Sequence, residues 1–260
     1  QNAILGRRAE SVQGGVSGLA AEIVAKLASR EGPVAPVFLE PIVQRLTDAV
    51  RSDDSTMIEA LKPDLRRARI SPAMLADIYI PEAARRLGVG WEDDTLTFAE
   101  VTIGTVRLQS ILRDISADWA ADAGKMVDCA GAVLLLLPEK ELHTLGPLVL
   151  TGQLRRRGVS VCLQLATSGG EWRSLLRQRH FDAAFVSVGW EGKIAAAAQL
   201  VETIKDLTKG RLSVAVGGAV LTRSDGVFAC ESADIVTNDL DKALCTLGLT
   251  VNTSGAMESA

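Results

Sequence analysis

The sequence predicts an α/β protein in which a four-helix bundle precedes a doubly wound, five-stranded parallel sheet. Residues 36–122 carry apolar side chains at i, i+3, i+4, i+7 spacing, which is typical of amphipathic helices. Residues 128–250 instead contain five short apolar runs separated by helical stretches, the pattern of parallel strands buried on both faces. With 260 residues, 47% of them hydrophobic, the chain has enough apolar material for a core of this size.

Four helices joined by short connections are predicted in the first half. They are expected at about residues 39–50, 56–69, 71–87 and 97–121. Pro72 follows Ser71 at the favoured first position of the third helix. That helix is expected to stop at the run Gly88-Val89-Gly90, because glycine is common just beyond a helix end. These helices form a predicted domain over residues 36–122, after a flexible leader at residues 1–35.

The second half predicts a flavodoxin-like sheet over residues 123–250, followed by a tail at 251–260. The five predicted strands are Ala132–Leu137, Val159–Leu165, Ala183–Val188, Leu212–Val216 and Asp234–Thr237. The predicted helices are 145–157, 171–179, 194–208 and 239–247. Five such βα units fit a doubly wound arrangement, in which ligands bind at the carboxyl ends of the strands.

Composition excludes several classes of protein. The formal net charge of -4 argues against strong autonomous binding to nucleic acid, which depends on cationic side chains. No apolar run reaches the roughly 20 residues of a membrane-spanning helix, and no signal peptide is expected. The four cysteines form no C-x-x-C pair, so a zinc or redox site of that type is not expected. The sequence therefore predicts a cytoplasmic protein that acts without a membrane.

Residues suited to ligand binding follow the predicted strands. A lone imidazole, His143, lies two residues after a carboxylate, which is a metal-type ligand with a group that could orient it. Glycines and hydroxyls at the same edge would let backbone approach a ligand closely. The candidate positions are Glu141, His143, Gly146, Thr167, Ser187, Gly189, Gly217 and Gly218.

These positions resemble the signature of a cobalamin-binding module, D-x-H-x-x-G, then S-x-L, then G-G. The chain has Glu141-x-His143-x-x-Gly146, then Ser187-x-Gly189, then the glycine pair, with intervals of 40 and 27 residues (147–186 and 190–216). The resemblance implies that His143 is the lower cobalt ligand and that the Glu141 carboxylate bonds its other ring nitrogen. It further implies that the serine and the glycine pair line the slot for the base tail. The chain departs from the signature at two places, with Glu for Asp and Gly for Leu.

The helical half carries a second resemblance. Light-sensing cobalamin repressors of the CarH type cover the upper face of the corrin with a Trp and a following Glu-His pair. Here Trp91 and Glu100 match the first two, and Val101 stands where the histidine would be. The alternative interpretation is that Trp91 anchors the core and that Glu100 is a solvated residue stabilised by the helix dipole.

The stretch Trp91–Gly104 is similar to the W-E-x-D-x-L-(T/S)-F-A-E-V-T-I-G stretch of the AerR/PpaA antirepressors of purple photosynthetic bacteria. That resemblance implies a regulator without its own DNA-binding domain and without enzymatic activity. Its partner would be a CrtJ/PpsR-type repressor of photosynthesis genes, and its signal light or oxygen. It would bind adenosyl-, methyl- or hydroxocobalamin. Three alternatives remain: a corrinoid carrier for a methyltransferase, a haem sensor, or a nucleotide or flavin in the same cleft.

Overall fold

The computed structural model describes residues 38–54, 56–123, 130–165, 170–223 and 230–249. Thr167 and the predicted leader and tail lie outside these ranges. The first helices are α1 (Glu40–Arg51), α2 (Thr56–Arg67), α3 (Pro72–Met74, a π-helical turn at Leu75–Tyr79, and Ile80–Glu92) and α4 (Phe98–Ala123). Then follow β1 (Ala132–Leu136), α5 (Leu145–Arg156), β2 (Ser160–Gln164), α6 (Glu171–Gln178), β3 (Ala183–Ser187), α7 (Ile194–Thr208), β4 (Ser213–Gly217), α8 (Val220–Arg223), β5 (Ile235–Val236) and α9 (Leu240–Thr246).

Within these ranges the strands form one parallel sheet of five strands in the order β2-β1-β3-β4-β5. This is the flavodoxin-like order, so the predicted fold class is confirmed. The strand order reverses between β1 and β3, and ligands of such sheets bind at this point. Leu136 pairs with Val186, and Ser187 pairs with Gly217. The carboxyl ends of β1, β3 and β4 therefore lie side by side at one edge.

Helices bury both faces of the sheet. On one face, Leu134 and Leu136 of β1 belong to a core that includes Trp172 of α6 and Ile204 of α7. On the other, the intervening strand residues pack with Leu154 of α5 and with α9. Successive side chains of a strand point to opposite faces. Because both faces are covered, the strands have continuous apolar runs rather than an alternating pattern.

The helices before the sheet form a layer with its own buried side chains. Helix α1 contacts α2, α3 and α4, and α4 in turn contacts α5 of the sheet domain. A second link joins Arg156, at the end of α5, to Asp77 in the π-helical turn of α3. One guanidinium nitrogen lies 2.6 Å from each carboxylate oxygen. Among the described residues, no helix has the length and apolarity needed to cross a bilayer.

The predicted end of the third helix is wrong: α3 continues through Gly88 and Gly90 to Glu92. The helix ends later, where the N–H groups of Thr95 and Leu96 both donate to the Gly90 carbonyl at 2.8 Å. A side chain on Gly90 would lie 2.7 Å from Leu96, so this glycine serves close packing. Neither glycine has the positive φ of a helix-ending residue.

The π-helical turn in α3 was not predicted. It ends two residues before Pro81, which has no N–H to donate to the carbonyl four residues earlier. The Ile80 N–H donates instead to the Leu75 carbonyl, five residues back. The wider turn therefore lets a single helix pass a proline in its interior.

We expect Gly88→Ala to stabilise the protein and Gly104→Ala to be less stable than Gly88→Ala. A side chain on Gly88 would meet nothing within 4 Å, whereas one on Gly104 would lie 2.8 Å from the buried Leu87. Alanine at position 88 should raise the free energy of unfolding by about 0.5–1 kcal/mol through helix propensity. The free energy of unfolding of Gly104→Ala should be about 1–3 kcal/mol lower than that of Gly88→Ala, because the added methyl group overpacks the core. Urea denaturation measures both, and equal stabilisation would contradict this packing.

Candidate functional site

The Glu141 side chain is buried at the end of β1, in the loop that leads to α5. The loop turns where the Glu141 N–H donates to the Pro138 carbonyl (3.1 Å), with Lys140 in the left-handed region at φ 57°. The exposed fraction of the Glu141 side chain is 0%. A buried carboxylate needs hydrogen-bond donors to offset the loss of hydration.

Three donors surround this carboxylate. Oε1 accepts the His143 backbone N–H at 3.0 Å and contacts the His143 ring Nδ1 at 2.6 Å. Oε2 accepts the Gly189 N–H at 2.9 Å, from the loop after β3. An ionised carboxylate only accepts hydrogen bonds, so the ring proton lies on Nδ1. The carboxylate thus joins the two loops that flank the point where the strand order reverses.

The pKa of Glu141 reflects two opposing effects. Burial raises the pKa of this carboxyl, but the hydrogen bonds from the His143 ring, the His143 N–H and the Gly189 N–H lower it more. The net pKa lies below the ordinary value of a glutamate. Glu141 is therefore an anion at neutral pH, suited to holding a proton on the imidazole.

His143 presents its other nitrogen to the outside. Its side chain is 61% exposed although its carboxylate partner is fully buried. Within the described part of the chain, Nε2 forms no hydrogen bond. In the neutral imidazole with its proton on Nδ1, Nε2 has a free lone pair, which is the form of imidazole that binds metals.

Gly189 lies against the histidine. A Cβ built on this buried glycine would lie 2.5 Å from the Cβ, Cγ and Nδ1 atoms of His143, a separation that real Cβ atoms do not adopt. The φ angle of Gly189 is not in the left-handed region. Glycine at this position therefore makes room for the His143 ring. It is not needed for an unusual backbone conformation.

The glycine pair after β4 is explained by the protein's own packing. A side chain on Gly217 would lie 2.6 Å from the Thr237 carbonyl oxygen, and one on Gly218 would overlap the Val188 backbone. Gly218 also has φ +121°. Asn238 holds this turn, since its amide accepts from the Gly218 N–H (2.7 Å) and donates to the Gly218 carbonyl (3.1 Å). Asn238 was not among the predicted site residues, although its position directly after the last predicted strand was a signal.

The remaining signature residues differ in their surroundings. Ser187 is half-buried at the end of β3, and its hydroxyl has no hydrogen bond to any described residue. Gly146 is exposed, and a side chain there would meet nothing within 4 Å. Nothing in the described structure therefore requires a glycine at position 146.

The structure distinguishes Trp91 from Glu100. Trp91 lies in the last turn of α3 and is 53% exposed, so it is not a buried core anchor. Glu100 instead caps α4: its Oε2 accepts the N–H and the hydroxyl of Thr97, both at 2.8 Å. Oε1 accepts from Arg51 at 3.2 Å. No hydrogen bond or ion pair of the described residues joins Trp91 or Glu100 to the His143 loop.

Helix α4 does reach that loop, through a residue that was not predicted to belong to the site. The Gln109 side chain donates to the Thr144 hydroxyl at 2.9 Å, one residue after His143. Phe98, Thr102 and Val106 precede Gln109 at steps of three and four, so they share its face of the helix. Phe98 is 74% exposed and Val106 54%.

Exposed apolar side chains also lie at the edge of the sheet. Leu142, beside His143, is 85% exposed, and Trp190, directly after Gly189, is 50% exposed. Large apolar side chains exposed together mark sites of binding. The edge therefore combines an outward imidazole nitrogen with apolar surface.

We expect the stabilising effect of Glu100 to depend on pH. Hydrogen bonds from the Thr97 N–H and hydroxyl, with that from Arg51, lower the pKa of Glu100 to about 2. A carboxyl whose pKa is lowered on folding stabilises the fold above its unfolded pKa of about 4.3, and the effect is lost as the pH falls towards the folded value. Wild type should therefore exceed Glu100→Gln in urea midpoint near neutral pH, and the gap should shrink in acid. Glu202→Gln, an exposed charge change in α7, is the control, and a gap independent of pH would contradict the role of this carboxylate.

Comparison with known proteins gives one close relative and a shared fold. No family model matches the chain. The structure of the monomethylamine corrinoid protein of Methanosarcina barkeri superposes with a TM-score of 0.61 at 14% identity, covering 81% of this chain and 99% of that one. In sequence, the chain is 40% identical over 194 residues to the "uncharacterized 20.5 kDa protein in bchF-crtJ intergenic region" of Rhodobacter capsulatus, which is 74% of this chain and 100% of the relative. The chain therefore belongs to the family of this Rhodobacter capsulatus protein.

Proposed function

We propose that this chain binds a cobalamin and acts as a light- or redox-responsive antirepressor of photosynthesis genes. The observation that carries the first part is the Glu141–His143 pair at the point where the strand order reverses. Its 2.6 Å contact keeps the proton on Nδ1 and leaves the exposed Nε2 free to bind cobalt. The shared fold with a corrinoid protein supports the same ligand.

The surroundings of His143 fit a large, mostly apolar macrocycle. Gly146 opens onto empty space although no neighbour or backbone angle requires a glycine there. Leu142 and Trp190 expose apolar surface beside the ring. A corrin lying over His143 would cover these residues, and it would need position 146 to have no side chain.

Helix α4 is suited to approach such a ligand from the other side. The Gln109–Thr144 hydrogen bond holds this face of α4 beside the His143 loop. One and three turns earlier on the same face, Val106 and Phe98 are exposed. We assign the upper-face contacts to this apolar surface and to Trp91. Glu100 contributes through its cap of α4 and its bond to Arg51.

When bound, cobalamin supplies a cobalt–carbon bond that light can break. His143 would hold the metal through Nε2, and Glu141 would retain the proton on Nδ1 and fix the plane of the ring. The exposed side chains of α4 and Trp91 would exclude water from the bound ligand. A regulatory response requires that these side chains contact two states of the ligand differently.

Gene position supports the regulatory part of the proposal. The Rhodobacter capsulatus relative is named for the region between bchF and crtJ. The AerR/PpaA resemblance gives a CrtJ/PpsR-type repressor as partner, so a family member encoded beside crtJ fits that pairing. We propose that the chain is not an enzyme, that it works in the cytoplasm, and that it changes DNA occupancy through the repressor.

The first experiment tests the ligand by absorbance. Purified protein with adenosyl- or methylcobalamin in the dark should show the spectrum of a histidine-bound corrinoid, and the spectrum should change on illumination. His143→Ala should lose the histidine-bound spectrum and weaken binding by about 10-fold or more. His180→Ala is the matched control, because that histidine is exposed and lies at the opposite edge of the sheet. A spectrum unchanged in His143→Ala would refute the assignment, and a haem spectrum on titration with haemin would favour the haem sensor.

The second experiment separates the antirepressor from the corrinoid carrier, which the shared fold with a monomethylamine corrinoid protein also favours. Repressor bound to labelled operator DNA is titrated with the cobalamin-loaded chain in the dark and after light. The antirepressor should change repressor occupancy at least about threefold between the two states, and His143→Ala should not. A carrier would leave occupancy unchanged and would accept a methyl group from a corrinoid methyltransferase.

A further inference from the structure

The two departures from the cobalamin-binding signature fall on one contact. Glu141 replaces Asp and Gly189 replaces Leu, and the Gly189 N–H donates to Glu141 Oε2 at 2.9 Å. The other carboxylate oxygen holds the His143 ring at 2.6 Å. The same carboxylate therefore connects both altered positions to the histidine.

Sterics couple the two positions as well. The His143 side chain occupies the space that a side chain at residue 189 would need, with its Cβ, Cγ and Nδ1 atoms 2.5 Å from the Cβ position. Gly189 is buried and its backbone needs no positive φ. Gly146, in the first turn of α5, has open space at its Cβ position. Gly189 is thus the glycine whose missing side chain admits the ring.

We propose that Gly189 is a positioning residue for His143 and that it forms a matched pair with the length of Glu141. The longer carboxylate extends far enough to take the Gly189 N–H, and it holds the bonded ring over the Gly189 backbone. A shorter carboxylate at residue 141 would draw the ring back towards its own loop and leave room at position 189. The functional meaning of the pair rests on the proposed cobalt ligation, but its geometry is a property of the ligand-free protein.

The tautomer of His143 reports this geometry directly. Which ring nitrogen carries the proton is set by the hydrogen bonds that the two ring nitrogens make. With two histidines in the sequence, an untagged protein labelled at its histidine nitrogens gives two ring patterns. His180 is 87% exposed and serves as the internal reference. NMR is recorded at alkaline pH, at which adding more base no longer changes the signals of either ring.

In ligand-free wild type, His143 should show the pattern of a proton fixed on Nδ1. In Gly189→Ala the added methyl displaces the ring from Glu141, so this pattern should be lost and the signals should move towards those of His180. Gly146→Ala, the matched control, should keep the wild-type pattern. Glu141→Asp combined with Gly189→Ala should recover more of the Nδ1-protonated form than Gly189→Ala alone.

Two results would overturn the proposal: an unchanged His143 pattern in Gly189→Ala, or no recovery in the double variant while circular dichroism shows both proteins folded. Cobalamin binding is then measured separately, and Gly189→Ala should bind about 10- to 100-fold more weakly. If the tautomer changes as expected but no variant, including wild type, binds cobalamin, the proposed function fails while the pairing of Gly189 with Glu141 stands.

Discussion

The arrangement of the site depends on one buried charge. The Glu141 carboxylate has no exposed surface, yet it lies in the loop after β1 and accepts hydrogen bonds from two loops. Burial alone would favour the neutral acid, and the three hydrogen bonds reverse that preference. Removing any donor leaves a buried anion undercompensated. The loops after β1 and β3 are therefore held together by a group whose ionised state requires both of them.

The glycines of the signature differ in what requires them. Gly217 and Gly218 are required by the fold, because the ends of β3 and β5 press against them. Gly189 is required by the histidine that lies over it. Gly146 is required by neither, which is why it supports a ligand at this edge. A sequence motif treats these glycines alike, and only their surroundings separate those that shape the protein from the one left open.

The sheet could be predicted closely from the sequence because its strands are buried on both faces. A fully apolar run such as Ala132–Leu137 leaves few alternatives, and β1 ends within one residue of it. The end of α3 could not be predicted, because Gly90 is a packing glycine facing Leu96 and resembles a helix stop in sequence alone. The pairing of Glu141 with His143 follows from spacing and resemblance. The third donor to the Glu141 carboxylate, Gly189, lies 48 positions further along the chain. Only the fold brings these two residues together.

Helix α5 gives the site a rigid connection to the helical layer. It begins two residues after His143 and ends at Arg156, which is bonded to Asp77 in the π-helical turn of α3. At its start, Thr144 accepts from Gln109 of α4. Contacts at both ends of this 12-residue helix therefore connect it to the helical layer. The π-helical turn is the part of α3 with the least regular hydrogen bonding, since Pro81 withholds a donor there. The two ends of α5 therefore link the His143 loop to the π-helical turn of α3 through Thr144 and Arg156.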